Sequence, residues 1–369
     1  MTAWTIAIGL IVLIILLFFL SILVIKNRDD KKNEEDVLKF IKHHPKQVSC
    51  CFVENGNPII AYQSDQKMPL ASVLKIMVAI EFVRQTRLGK VDPNQEIPLA
   101  QLDRFYIPGC DGGAHAEWLG AVRKSQPNRK GVSYFNIAKG MIQFSSNANT
   151  EFLMEILGID AINHTVSVLG DSEHEPIFPI SSAGLIGAYL MDHEQLTLKE
   201  ATLKMKSMSP DQYKRLAEEV HRILAKDTQK EFIVKYNRKS IYNRKLQLSE
   251  SSRMPSATAN LYGTLLERLQ RQKWFDEVAQ KLFMRLMERE VKEASPFEKV
   301  LSKGGASISI LNNVFYVEDK QKNRLALALL IHEPTGTELI WLRKKMQLFI
   351  GKIFSDPAFR TRVAKELNT

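Results

Sequence analysis

The sequence predicts an α+β domain: an antiparallel sheet flanked by helices, with an inserted all-α domain and an N-terminal transmembrane helix. Two groups of strands and the helical stretch between them carry that reading. Near the N-terminus, residues 48–54 and 58–63 are apolar and β-rich, and they flank the turn Asn55-Gly56-Asn57, a hairpin signal. Near the C-terminus, residues 306–310, 314–318 and 324–332 read as three more strands, the last fully buried. From 67 to 294 the apolar spacing is mostly helical. Strands from both ends must then pair around a helical insertion.

Taken in order, the first 25 residues carry no charged side chain. Residues 4–25 form an apolar run about as long as a bilayer crossing requires. No small-residue cleavage site follows, as a signal peptide would have. Residues 1–25 are therefore expected to be a transmembrane anchor and 26–36 a charged linker. Lys26, Arg28, Lys31 and Lys32 follow the run and no basic residue precedes it, which by charge bias places the rest of the chain in the cytoplasm. The sheet domain is expected at 37–66 and 295–369, and the helical domain at 67–294. Its helices include 134–157, interrupted by FSSNANT, and 185–206. A third starts at Ser209-Pro210-Asp211-Gln212, a capping box with proline at the first helical position. Residues 258–271 and 275–291 are further helices of that domain, and 337–354 is a final helix in the sheet domain.

The composition, 45% hydrophobic and 25% charged over 369 residues, is that of a globular chain with room for one large or two modest domains. Three cysteines, two of them adjacent, do not make a disulfide framework. The net charge of +10 is concentrated in an insertion at about 185–254. There, 14 Lys and Arg face 7 Asp and Glu between 199 and 253. Such a stretch can meet an anionic surface or be a solvated helical face. No nucleic acid partner, metal or cofactor is expected. The loop holding Cys110, Asp111 and His115 has no second ligand cluster to complete a metal site.

The chemistry points to Ser72-Val73-Leu74-Lys75, at the opening of an apolar helix. Residues three apart share a helix face, so the Ser72 hydroxyl and the Lys75 amine should meet away from water. A desolvated amine loses its proton readily and can act as a base. A second S-x-x-K, Ser64 to Lys67, lies in a polar stretch that would not desolvate its lysine. Ser145-Ser146-Asn147 interrupts the helical block with a hydroxyl that can relay a proton and an amide that can hold a carbonyl. Lys303-Gly304-Gly305 is expected at the start of the first C-terminal strand. There Lys303 supplies positive charge, and the glycines let a substrate lie against the strand edge. The Ala306 and Ser72 amides together could form an oxyanion hole.

This order of motifs resembles the penicillin-recognising serine enzymes, the class A β-lactamases and penicillin-binding peptidases, with their S-x-x-K, S-D-N or S-x-N, and K-T-G signatures. The resemblance runs from about Glu34 to the C-terminal helix. It implies Ser72 as acylated nucleophile, Lys75 as its base, Ser145 as proton relay, Asn147 as substrate ligand and Lys303 as anchor. Gly305 and Ala306 form the substrate edge. Ser146 replaces the class A aspartate, and Gly304 replaces a hydroxyl residue that helps bind the substrate carboxylate. Glu175, in Glu175-Pro176, matches the class A water-activating glutamate in approximate position, but Pro179 stands where an asparagine is usual. Glu173 is a second carboxylate there. The resemblance implies a serine hydrolase opening β-lactams, with its domain outside the membrane against the charge bias, and the apolar run makes it a membrane-anchored one. A peptidase or transpeptidase on D-alanyl peptides and a non-catalytic sensor are the other readings.

Overall fold

The computed structural model describes residues 3–125, 127, 131–241, 243–271 and 274–368. The side chains of residues 3, 5–10, 19, 21–22, 25 and 237–241 are also outside the description, and with them parts of the expected anchor and of the basic stretch. Nine strands are described: β1 (Val48–Glu54), β2 (Asn57–Tyr62), β3 (Met68–Pro69), β4 (Glu96–Pro98), β5 (Gly131–Ser133), β6 (Ser256–Ala257), β7 (Phe297–Ala306), β8 (Ile310–Asp319) and β9 (Arg324–His332). Five of them form one sheet in the order β2-β1-β9-β8-β7, antiparallel throughout. Strands from the two ends of the chain do pair, with Cys51 opposite Ala328.

The C-terminal strands differ from the expectation. Lys303-Gly304-Gly305 lies in the last four residues of β7, not at a strand start, and 307–309 is the hairpin turn into β8. The misreading has a physical cause. The first half of β7, FEKVLS, is half-exposed and charged, so it lacks the apolar signal of a buried strand.

The chain forms two compact units, Met1–Pro45 with Pro334–Leu367, and Lys46–Glu333. In the first, a single helix, Ala3–Asp30, extends beyond the expected anchor into the expected linker. Among the described residues no single helix is long and apolar enough to cross a membrane; residues 4–25 are only partly among them. The helix Glu34–His43, capped by Asn33 and Asp36, packs on Gly336–Ser355. Phe40 meets Trp341 edge to face at 6.0 Å, and Lys32 lies 4.0 Å over the same indole.

In the second unit the helix Lys75–Arg87 is the hub. Every residue from Lys75 to Val83 is buried, because other helices surround it. Glu81 interrupts its apolar run and is 0% exposed. Its carboxylate accepts from Arg84, from Gln85 Nε2 at 2.6 Å and from Thr165 Oγ1 at 2.7 Å. A buried charge survives only with that kind of satisfaction. The helix Ala259–Arg271 lies against the sheet, and Gly263 is where it comes closest: a Cβ there would sit 2.8 Å from Cys51 Sγ.

The inserted helices include Leu198–Ser207, Pro210–Lys226, Glu231–Ile241 and Arg244–Ser251. The expected 185–206 helix is broken before Leu198, where Thr197 starts a new capping box. The Ser209 capping box forms as read. Part of the basic excess between 199 and 253 is paired with acids that precede it: Lys230 with Asp103 at 3.2 Å, Lys235 with Asp192 at 2.8 Å, and Lys204 with Glu194.

Replacing Glu81 by alanine should leave the Gln85 and Thr165 donors short of an acceptor in the core. A cost of about 2–3 kcal/mol is expected, read from the denaturant midpoint of the purified chain.

Candidate active site

Ser72 lies in the 3-10 turn Ala71–Leu74, which runs directly into the helix Lys75–Arg87. In such a turn residues three apart eclipse, so Ser72 and Lys75 share a face. Ser72 is partly exposed and Lys75 fully buried. The Lys75 amine makes its hydrogen bonds elsewhere than to Ser72. The Lys75 amine donates to the Ser145 carbonyl at 2.6 Å, to Asn147 Oδ1 at 2.7 Å and to Ser145 Oγ at 3.3 Å. An ammonium has three donors, and out of water each must find an oxygen. The Ser145–Asn147 turn presents all three.

That turn exists because two helices, Tyr134–Gln143 and Asn147–Leu157, meet there. Ser146 caps the second, accepting from the Asn149 amide, and its hydroxyl is 2.8 Å from His115 Nδ1. The residue that replaces the class A aspartate is thus a buried helix cap. Ser145 has φ +72° and Ala71, just before Ser72, has φ +47°. Non-glycine residues rarely adopt the left-handed region, and such strain gathers at functional sites.

Lys303 closes the group from the sheet. Its amine donates to Ser145 Oγ at 2.9 Å and to the Gly304 carbonyl at 2.8 Å. The Ser145 hydroxyl therefore stands between two lysines. Burial pulls the Lys75 amine down to about 7, opposed by the anions Asp111 and Glu151. Burial also holds Lys303 well below the usual lysine range, helped by the positive charges of Lys75 and Arg289.

The outer edge of β7 borders the same space. Ser307 N donates to Ile310 O, and in an antiparallel ladder bonded residues alternate. Lys303 and Gly305 thus pair with β8, while Gly304 and Ala306 turn their amides outward. The Ser72 amide opens its 3-10 turn, where donors have no partner within the helix. Of the two glycines, Gly305 differs from the sequence reading. A Cβ on Gly305 would lie 2.4 Å from Leu70 O and 3.1 Å from Ser72 N. Gly305 thus admits the protein's own backbone. A Cβ on Gly304 would meet nothing nearer than 3.7 Å.

Two residues here, Asn312 and Arg289, escaped the sequence reading, and a third, Asp111, reads there only as part of a loop. Asn312, buried on β8, donates from Nδ2 to Pro69 O at 2.8 Å and to Leu70 O at 3.1 Å, and accepts from Ile331 N. It pins the approach to Ser72 onto the sheet. Arg289 donates to Gln143 O, Ile142 O and Ser302 O, tying the approach to Ser145 to the strand of Lys303. Asp111 accepts from His115 N at 3.0 Å and from Asn147 N at 3.4 Å, joining two helix starts. In sequence its loop reads as one that lacks the second ligand cluster a metal site needs.

Among the described residues, Glu175 shares no hydrogen bond with this group. Its side chain is exposed, and Oε2 accepts from Ser256 N at 3.0 Å. Glu173 accepts from Thr258 Oγ1 and Asn260 Nδ2. The buried carboxylate on the Asn147 helix is Glu151.

Residues 32–355 match the model of the β-lactamase enzyme family. No curated protein matches by sequence. Among solved structures, a representative class A β-lactamase from Bacteroides cellulosilyticus is similar with TM-score 0.51 and 14% identity, over 88% of this chain and 100% of that one. A β-lactamase from Chitinophaga pinensis gives TM-score 0.52 and 13% identity, over 86% and 98%. One from Sphaerobacter thermophilus gives 0.50 and 13%, over 84% and 92%. At such identities these likenesses describe the fold.

Gly305→Ala should cost about 1–3 kcal/mol, the range for overpacking against atoms that cannot move aside. Gly304→Ala should be tolerated. Urea titration of the two variants checks the contrast.

Proposed function

Because the chain belongs to the β-lactamase enzyme family and so to the serine hydrolases, we propose that it opens β-lactams through an acyl-Ser72 intermediate. The observation that carries the reading is the Lys75 amine, buried and held at about 7, with Ser145 and Asn147 as its partners. On losing its proton, Lys75 keeps two donors and gains a lone pair. That lone pair can take the Ser72 proton as Oγ attacks the lactam carbonyl. The Ser72 and Ala306 amides are positioned to receive the oxyanion. Ser145 Oγ passes a proton to the departing nitrogen, and Lys75 or Lys303 replenishes it. Asn147 Oδ1 accepts from Lys75, so its Nδ2 group is the part that can donate to a substrate carbonyl. Gly304 brings no hydroxyl for the substrate carboxylate, which leaves that role to Lys303 and the β7 edge.

We place residues 4–25 as a membrane anchor, with the catalytic unit on the outer side, where β-lactams are met. The apolar run supports the anchor, and large domains translocate regardless of nearby charge. Protease added to intact protoplasts should degrade the unit Lys46–Glu333; its survival would place it inside.

The central test is incubation with fluorescent penicillin followed by mass spectrometry. One adduct is expected, lost in Ser72→Ala, and its rate of formation should rise as pH is raised through about 7, because the neutral amine is the base. Lys75→Ala should slow it by on the order of 10² or more. An adduct that persists in Ser72→Ala would overturn the assignment.

Turnover of the adduct separates a β-lactamase from a D-alanyl peptidase. Glu175 is exposed and bonded to Ser256, so the acyl-enzyme is expected to be long-lived. Glu175→Gln should leave acylation unchanged. If Glu175 nevertheless swings in to activate water, the glutamine variant will retain the adduct after the parent has released it.

A further inference from the structure

We propose that His221, from the inserted helices, is a positioning residue for the active site: through Glu151 it holds the turn at 180–183 against the helix that carries Asn147. The role of this histidine in the reaction rests on the acyl-serine reading above.

Glu151 stands one turn beyond Asn147 on the helix Asn147–Leu157. Its side chain is 1% exposed. Oε1 accepts from Ser181 N at 2.9 Å and Ser182 N at 3.1 Å, and Oε2 from Ser182 Oγ at 2.7 Å. These donors belong to the short helix Ile180–Ala183, which continues the loop containing Glu175. The remaining bond comes from His221 Nδ1, 2.6 Å from Oε2, while Nε2 lies 3.1 Å from Glu155 Oε2. His221 is 2% exposed.

A carboxylate accepting four bonds in the interior must be ionised, and an anion there needs a counter-charge. His221 supplies it. Although burial opposes both, the pair holds the Glu151 carboxyl below its usual range and the His221 imidazole above its own. The pairing thus favours the charged form of each partner, and Glu151 is one of the two anions that act on Lys75.

The same helix, Pro210–Lys226, reaches the other flank of the site. The His221 ring stacks on Phe105 at 5.2 Å and 11°. Arg104 donates to Ala225 O at 3.1 Å. Phe105 leads into the loop whose Asp111 accepts from Asn147 N. One inserted helix therefore touches the segments on both sides of Asn147. Without the His221 donor and its charge, Glu151 would take up a proton. It would then release amides it now binds and cease to act on Lys75 as an anion.

The test uses the full chain in detergent, with two variants and two readings. His221→Phe keeps a ring on Phe105 but removes both donors. His221→Asn keeps a donor where Nδ1 stands. In His221→Phe, hydrogen exchange at Ser181 and Ser182 should become faster. Labelling of Ser72 by fluorescent penicillin should slow by on the order of 10-fold or more, the scale for misplacement remote from the chemistry. His221→Asn should restore amide protection and most of the labelling rate. Freed amides with unchanged labelling would overturn the link to the site. Unchanged protection would overturn the hold on the turn. Equal damage in both variants would assign the effect to the stacked ring and overturn the proposal. Should His221→Phe not fold, Glu151→Gln takes its place with the same two readings. If the parent takes up no penicillin, the acyl-serine reading fails, while the exchange comparison still decides whether His221 holds the turn.

Discussion

An amine taken out of water must be satisfied by protein oxygens at every donor, and Lys75 imposes that demand on the centre of this molecule. It begins a helix whose next eight residues are also buried, so the amine cannot reach solvent. The oxygens must come from another segment in a fixed geometry. Two are a backbone carbonyl and a side-chain amide of the Ser145–Asn147 turn. The turn meets the demand at the cost of a left-handed Ser145. Its caps offset that cost: Ser146 on Asn149 N, and Asp111 on Asn147 N. The break in the helical block, the polar run that causes it and the lowered basicity of the lysine thus follow from one constraint.

The second constraint is the sheet edge. Residues 72, 145 and 303 are far apart in sequence, and two devices bring their backbones together. Asn312 supplies donors to Pro69 and Leu70, residues that lead into the Ser72 turn. Gly305 removes the side chain that would keep β7 off that turn. Each fixes backbone rather than a reactive side chain. A pocket that aligns amides for a developing oxyanion needs that rigidity, because preorganised donors act without reorganising during the reaction.

Much of this was legible in the sequence because the signals were local. The S-x-x-K on an apolar helix, the polar break at 145–147 and the β1–β2 hairpin each follow from periodicity and turn chemistry within a short window. The residues that escaped are those whose reason is tertiary. Asn312 looks like one polar residue in a strand until the 69–70 backbone arrives beside it. His221 falls on the buried stripe of its helix, with Tyr213, Ala217, Val220 and Leu224, but its partner Glu151 lies 70 residues away. Gly305 was read as room for a substrate, whereas its space is taken by the chain itself. The strand bearing Lys303 was misplaced because an edge strand with a charged first half carries little apolar pattern.

Two acidic residues, Glu151 and Glu175, have different structural settings, and the difference bears on the reaction. A general base for water needs a free acceptor directed at the ester and a pKa matched to its task. Glu151 is close to Asn147 and ionised, but its oxygens are fully engaged by Ser181, Ser182 and His221. It can hold structure and influence Lys75, yet it has no lone pair to offer a water without releasing the turn. Glu175 has capacity to spare, with one oxygen on the Ser256 amide, but its side chain is exposed to solvent. In the proposed reaction, the groups for forming an acyl-serine are therefore assembled and desolvated, while those for hydrolysing it are either occupied or solvated. The rate balance between the two half-reactions is set by which carboxylate the fold buries and what it binds there.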